Sequence, residues 1–427
     1  MLDIKLIRDQ AARVQAALRK RGDEVDFSEL LSWDEARRHS QIDLEAKRTQ
    51  RNDVSAQVPA LKKAGADVQA VFAEMKALGG AIKDLESQIG LLEQKIQSFM
   101  AALPNLPDED VRAGGKENNE ILHVFGKKPE FTFAPSDHVA LLGTLGMVDY
   151  ARGAKLSGSG FWVYRGDGAR FEWALLNYFV ERHLAAGYEF VLPPHLLLPA
   201  CGYTAGQFPK FSDDVFKLEH APEEEQRFLL PTAETALVNL HRDEILEEAE
   251  LPRKYFGYTP CYRKEAGSYR TEERGTVRGH QFNKVELFQY CRPQDSAAAL
   301  EQMLEHARSI VQDLGLHHQV SKLAARDCSE SMAKTLDIEV WIPSMMQYKE
   351  VSSASNARDY QARRGQIRYR PEGKKGTELV HTLNASGLAT SRLLPAIVEQ
   401  FQQADGSVVV PPVLCKWLGK ERLSPRG

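Results

Sequence analysis

A chain of 427 residues, 43% hydrophobic and 27% charged, has the composition of an ordinary globular protein with room for a large core and a second module. No apolar run approaches membrane-spanning length, and residues 1–10 scatter charges among their apolar positions, unlike a secretory signal, so a cytoplasmic protein without a membrane partner is expected. A formal net charge of −4 argues against indiscriminate binding to nucleic acid and requires any such contact to be focused on a local basic surface.

The first strong pattern is helical. Val68, Val71, Met75, Leu78, Ile82, Leu85, Ile89, Leu92, Ile96, Phe99 and Leu103 recur at alternating steps of three and four, the heptad pattern of a coiled-coil seam. Upstream, residues 30–58 are rich in Glu, Arg, Ala and Gln, with Leu44, Val54, Val58 and Leu61 giving a weaker stripe. Together they predict an antiparallel coiled-coil hairpin over residues 30–103. Its tip falls between Pro59, which disfavours a continuing helix, and Asp67, with Gly65 suited to the reversal. At 1.5 Å per residue the second helix is about 50 Å long, more than a compact domain needs. Arg37, Arg38, Lys47, Arg48, Arg51, Lys62 and Lys63 are basic positions able to meet RNA, but Asp34, Glu35, Asp43, Glu45 and Asp53 lie among them. Charge alone therefore describes a solvated helix face before it describes an RNA-binding one.

The run Leu103-Pro104-Asn105-Leu106-Pro107-Asp108, followed by Gly114-Gly115, breaks the helical pattern and sets a boundary. It divides the chain into a helical arm over 1–110 and a second domain over 111–427. From about Pro135 helical and extended stretches mix, with glycine and proline throughout, as in an α+β domain. Cys201, Cys261, Cys291, Cys328 and Cys415 are widely spaced and form no CxxC, so reduced thiols and no structural zinc are expected. Neither a Gly-x-x-x-x-Gly-Lys-Ser/Thr loop nor a Gly-x-Gly-x-x-Gly turn is present, so a nucleotide would have to be held by charged side chains.

Such side chains concentrate in three places. Thr259 to Ser268, containing Arg263, Lys264 and Glu265, leads through a polar loop to Arg278-Gly279-His280-Gln281-Phe282-Asn283-Lys284-Val285-Glu286. Asp337-Ile338-Glu339-Val340-Trp341-Ile342 alternates like a strand and is followed by Tyr348-Lys349-Glu350-Val351-Ser352-Ser353-Ala354-Ser355-Asn356. His381 to Arg392 passes from polar residues into a helix-like run from Leu393 to Val398.

These segments resemble the signature motifs of class II aminoacyl-tRNA synthetases in their seryl form. Motif 2 is the Arg-x-Glu of Arg263 and Glu265 with the strand ending at Glu286, motif 3 ends in Arg392, and motif 1 is Gly187 to Pro194, with Pro194 as its proline. Pro231-Thr232-Ala233-Glu234 resembles the seryl TxE loop, and Gln361-Ala362-Arg363-Arg364 the QARR element. The opening Met1 to Arg8, the hairpin and the Pro-Asn-Leu-Pro linker fit as well. The resemblance implies a class II fold with an antiparallel sheet core and a ligase that activates L-serine with ATP and esterifies it to the 3′-terminal adenosine of tRNA(Ser), extending to tRNA(Sec) where that tRNA is present. In this family the arm grips the long variable arm of the tRNA across a homodimer, by backbone and shape contacts rather than by reading bases.

Activation sets an ionised carboxylate against the α-phosphate of ATP, so alignment and charge neutralisation are needed rather than a general base. Arginine suits this through bidentate hydrogen bonds to phosphoryl oxygens. By resemblance Arg263 holds the α-phosphate and Arg392 the γ-phosphate of a bent ATP, while Phe282 stacks on adenine beside Glu265. Arg263, Glu265 and Arg392 thus form the catalytic set, and Lys264, Val351 and Ser352 join the ATP site. Glu350 and Ser353 fit a Mg2+ ion shared with the phosphates. Serine recognition falls to Thr232, Ala233, Glu234, Glu286, Asn384 and Ser386.

Several positions depart from the family pattern. Arg270 stands where glycine is common, Arg326 to Glu330 replace most of a common Thr-Gly-Asp-Met-Gly segment, Ala354 replaces a frequent cysteine and Ala385 a frequent glycine. None removes a proposed catalytic side chain. A paralogue charging carrier proteins would commonly lose or alter the arm, and an inactive scaffold would lose Arg263, Glu350 or Arg392. The arm and all three residues are present.

Overall fold

The computed structural model describes the chain apart from residues 66, 220–221, 223–225, 266–274 and 427, so Arg270 and its loop lie outside the described residues. The chain forms two compact units: Leu2–Leu18 with Asp23–Leu103, and Met1, Arg19–Gly22 and Pro104–Gly427.

The first unit contains helices α1 (Ile4–Arg19), α2 (Ser28–Lys63) and α3 (Gln69–Ala102). The heptad residues do what their spacing requires: all eleven are buried or half-buried, while most residues between them are exposed. Leu44 of α2 packs with Ile82, Ile89 and Leu85 of α3. Arg48 adds a tie across the hairpin to Glu86 at 2.9 Å. The reversal occurs at Ala64-Gly65, where Gly65 has φ +71, a conformation that side chains disfavour. Pro59, however, does not end α2, which continues four residues to Lys63. The proline is exposed, so the carbonyl one turn back, deprived of its N–H partner, is open to water. Arg37 and Arg38 are occupied within this unit: together with Arg8 they surround the buried carboxylate of Asp34.

The second unit is built on an eight-stranded sheet: β1 (Glu120–Phe125), β2 (Glu189–Val191), β3 (Arg253–Tyr262), β4 (Gln281–Cys291), β5 (His318–Lys322), β6 (Lys334–Ile342), β7 (Gln347–Arg358) and β8 (His381–Ala389). Their spatial order is β1-β5-β6-β7-β8-β4-β3-β2. Every pairing is antiparallel except that of the edge strand β2 with β3. Helices α4 (Asp167–Ala185), α5 (Ser296–Asp313) and α6 (Thr390–Gln400) cover one face.

Alternation along each strand then decides what lines the other face. Val285 and Leu287 of β4, Ile338 and Val340 of β6, and Leu383 and Ala385 of β8 join Phe171, Leu300 and Ile397 of the helices in one apolar core. Their neighbours Lys284, Glu286, Asp337, Glu339, Asn384 and Ser386 emerge on the opposite face, and all six are buried there. A bulge at the Ile338/Glu339 register shift leaves Val351 as the extra residue on β7. Glu350 is thereby paired with Glu339, and Ser353 with Asp337. The departures Ala354 and Ala385 are direct cross-strand partners in the helix-side core, so a larger residue at 385 meets a smaller one at 354, away from the polar face.

Replacing Ile82 by alanine is expected to lower the opening free energy of the hairpin by about 2–4 kcal/mol. Hydrogen exchange checks this: protection should fall across α2 and α3 and stay constant in β3 and β4. Unchanged protection in the hairpin would contradict the seam.

Candidate active site

The polar face holds a recess lined by Arg263, Glu265, Arg278, Phe282, Lys284, Glu350, Val351, Ser386 and Arg392, among others. Strand ends and one helix start bring these together. Arg263 and Glu265 follow β3, and Phe282 and Lys284 open β4. Arg392 is the third residue of α6. The half-buried guanidinium of Arg263 lies 5.2 Å from the Phe282 ring centroid, and its Nε donates to the Pro231 carbonyl at 3.2 Å. Arg392 is fixed by bonds to the carbonyls of Val277 (3.2 Å) and Glu350 (2.8 Å), and its Nη1 lies 3.3 Å from the Glu350 carboxylate. Glu265, in a left-handed backbone conformation with φ +51, is ion-paired with Arg278. Arg263, Arg392 and an aromatic ring thus face one space, an arrangement that suits an adenine nucleotide.

A second, more open recess adjoins the first and shares Arg263, Glu265 and Arg278 with it; it adds Gln207, Phe211, Thr232 and Ser329. Where the two meet lies a buried polar cluster. Lys284 Nζ donates to Thr232 Oγ1 at 2.6 Å and pairs with Glu286 at 2.5 Å. Thr232 Oγ1 and Asn384 Nδ2 each stand 3.4 Å from a Glu286 oxygen. Ser386 is the cross-strand partner of Glu286. Glu234 opens the short turn Glu234–Leu237, and its carboxylate accepts from Gln361 at 2.7 Å. Burial, and then the charge of Glu286, push the Glu234 carboxyl up to about 7. Gly257 is the cross-strand partner of Glu286 on β3, and Ala233 packs close above it. Ala233 itself is a core residue, so its contribution to a ligand would come from its backbone.

The predicted residues do not all converge. Lys264 is exposed and lines neither recess. The Ser352 hydroxyl is spent on the Ser386 carbonyl at 2.6 Å. Ser353 is half-buried and faces Asp337, whose carboxyl is held well above the usual range by burial and by the charge of Glu350. One oxygen of Asp337 is buried without a partner among the described residues. Among the described residues no three His, Cys, Asp or Glu side chains converge on one point suited to a metal ion. A cation at Glu350 and Ser353 would take hard oxygen ligands from the protein, a donor set that suits Mg2+. In the departing segment 326–330, Ser329 lines the outer recess and Glu330 is ion-paired with Lys210.

Sequence pattern alone gives no role to Lys284 or Arg278. Lys284 was accessible through strand parity, since it stands two residues before Glu286 and so shares its face. No comparable signal marks Arg278, which pairs with Glu265 in the site.

Two family models match the chain: the seryl-tRNA synthetase N-terminal domain over residues 1–107 and the class II tRNA synthetase core domain (G, H, P, S and T) over residues 216–401. The chain is 60% identical over 425 residues to serine–tRNA ligase 2 of Clostridium acetobutylicum, covering 99% of this chain and 100% of that one. It is 44% identical over 423 residues to the serine–tRNA ligase of Thermodesulfovibrio yellowstonii, covering 98% and 99% respectively. Its fold matches the crystal structure of seryl-tRNA synthetase from Pyrococcus horikoshii complexed with ATP at a TM-score of 0.93, with 33% identity and 100% of both chains covered.

Phe282→Ala should weaken ATP binding by about 1–3 kcal/mol, roughly five- to 150-fold in Kd, through loss of the stacking face. Calorimetric titration of the full chain measures this, and an unchanged Kd would remove Phe282 from the nucleotide site.

Proposed function

The chain belongs to the seryl-tRNA synthetases, and from that premise we propose how its residues divide the reaction. It is a class II ligase that activates serine with ATP and joins it to tRNA. The observation that carries the assignment of roles is the position of Arg263. Its guanidinium spans the gap between the aromatic platform of Phe282 and the carbonyl of Pro231 at the base of the Thr232–Glu234 loop. With adenine on the first and the amino acid against the second, the α-phosphate falls at Arg263. There, paired N–H donors neutralise charge as the serine carboxylate displaces pyrophosphate. Arg392 takes the γ-phosphate and Glu265 the adenine edge. Glu350 and Ser353 would hold a divalent ion, Mg2+ in this reading, which when bound neutralises phosphate charge.

Serine is held by its ammonium on Thr232, Glu234 and Glu286, and by its hydroxyl on Glu286, with Asn384 and Ser386 alongside. In the free enzyme the Lys284 ammonium sits on Thr232 and Glu286 and balances the charge of the Glu286 carboxylate. Alanine leaves the hydroxyl partners buried and unsatisfied, which disfavours it more strongly than lost contact area would.

Residues 1–110 form the tRNA-binding arm and 111–427 the catalytic domain. Lys47, Arg51 and Lys63 make no ion pair among the described residues, which leaves them for the phosphates of tRNA(Ser), and of tRNA(Sec) where it occurs. A homodimer is supported by the edge strand β2 and the segment after it, where Phe190, Leu192, Leu196 and Leu198 expose apolar side chains that a second copy would cover. The reaction is assigned to the cytoplasm, with the rest of protein synthesis; no helix among the described residues is long and apolar enough to cross a membrane.

Arg263→Ala should lower serine-dependent ATP–pyrophosphate exchange by about 10²–10³-fold or more while tRNA binding, followed by filter retention, stays within about twofold. Retained exchange would displace Arg263 from the α-phosphate. Serine affinity should also depend on pH through Glu234. Above about 7 its carboxylate is charged and attracts the ammonium; as pH falls through about 7 it takes up a proton and that attraction is lost. Kd for serine is expected to rise up to about tenfold per pH unit below that point, and Glu234→Gln should flatten the curve. A flat wild-type profile between about pH 8 and 6 would contradict the assignment.

A further inference from the structure

The QARR element has no part in the chemistry described so far. Its glutamine is nonetheless buried beside the serine pocket, at 1% exposure, on the short helix Tyr360–Gly365. Gln361 Nε2 donates to Glu234 Oε1 at 2.7 Å and to the Ala205 carbonyl at 3.1 Å, while its Oε1 accepts from Thr382 Oγ1 at 2.7 Å. Both partners on the first side are acceptors, so the amide can present only its NH2 group there, and its orientation is fixed. Thr382 stands on β8 two and four residues before Asn384 and Ser386, and therefore on the same face.

We propose that Gln361 is the positioning residue that fixes the serine-recognising carboxylate of Glu234; this rests on the role given to Glu234 above. A carboxylate on a two-carbon stem at the start of a four-residue turn needs an external anchor to hold one rotamer. Gln361 pins one oxygen of Glu234 and ties it to the strand carrying the other serine-binding residues. The second oxygen is left for the substrate ammonium. A neutral donor is required here: a lysine or arginine would cancel the charge that attracts the ammonium, and a glutamate would repel Glu234. Arg364, one helical turn on, supports the same arrangement. It donates to the carbonyls of Tyr203 (3.1 Å) and Phe208 (2.9 Å), holding the segment that contributes the Ala205 carbonyl.

The test uses full-length Gln361→Leu and Gln361→Glu in pyrophosphate exchange, varying serine and ATP separately and repeating the serine series across pH. The expected result is a KM for serine raised about tenfold or more, a KM for ATP within about twofold of wild type, and an acid limb displaced to higher pH in Gln361→Leu, because Glu234 has lost a donor that favours its charged form. Thr382→Val, which releases only the far end of the amide, should move serine KM and limb in the same direction by less, and it carries the test if the Gln361 variants fail to fold. An unchanged serine KM with an unmoved limb overturns the proposal. So does a loss falling equally on serine, ATP and kcat, which would mark a purely structural residue. Wild-type enzyme that fails to exchange with serine would overturn the functional reading and this inference with it, whereas serine-active wild type with unaffected variants overturns the inference alone.

Discussion

Two carboxylates kept out of water beside one another constrain this molecule more than any other feature. Glu234 and Glu286 are both buried, and the charge of Glu286 adds to the cost of charging Glu234. Such a pair persists only if its surroundings supply cations and donors. Lys284, Arg263, Gln361, Thr232 and Asn384 do so from five separate stretches of the chain. In the proposed reading the same demand makes the site selective: a ligand that brings an ammonium and a hydroxyl satisfies groups that one lacking either would strand.

The sheet makes this assembly possible. Its helix-covered face anchors β4, β6, β7 and β8 with apolar residues at alternate positions, so the residues between them must emerge together on the other face. The bulge at Val351 keeps Glu350 and Ser353 on that face, while the start of α6 delivers Arg392 against the Glu350 carbonyl. A reaction that needs alignment and charge neutralisation rather than proton transfer is well served by side chains projecting from such a rigid frame.

Much of this was legible in the sequence because it is periodic or local. The heptad run from Val68 to Leu103 specifies the hairpin seam, and the alternation in Asp337 to Ile342 specifies which face each residue takes. Arg263, Phe282 and Arg392 were identifiable through motifs. The exceptions have physical causes. Pro59 read as a helix stop, yet an exposed proline four residues from a helix end leaves a carbonyl that water can satisfy. Ala354 and Ala385 read as independent departures and proved to be neighbours, since cross-strand register depends on intervening turns that local pattern does not encode. The contacts of Gln361 with Glu234, 127 residues away, and with Thr382 are tertiary facts with no sequence signature.

In the proposed reading the buried acidic pocket and the arginine-lined cavity together activate serine for transfer to tRNA. ATP–pyrophosphate exchange with each of the twenty amino acids in turn, followed by aminoacylation of purified tRNA(Ser), tests it most directly. Exchange is expected with serine, with alanine disfavoured by about 10⁴-fold, together with stable charging of the tRNA. Exchange with no amino acid, or alanine and serine activated alike, would contradict it.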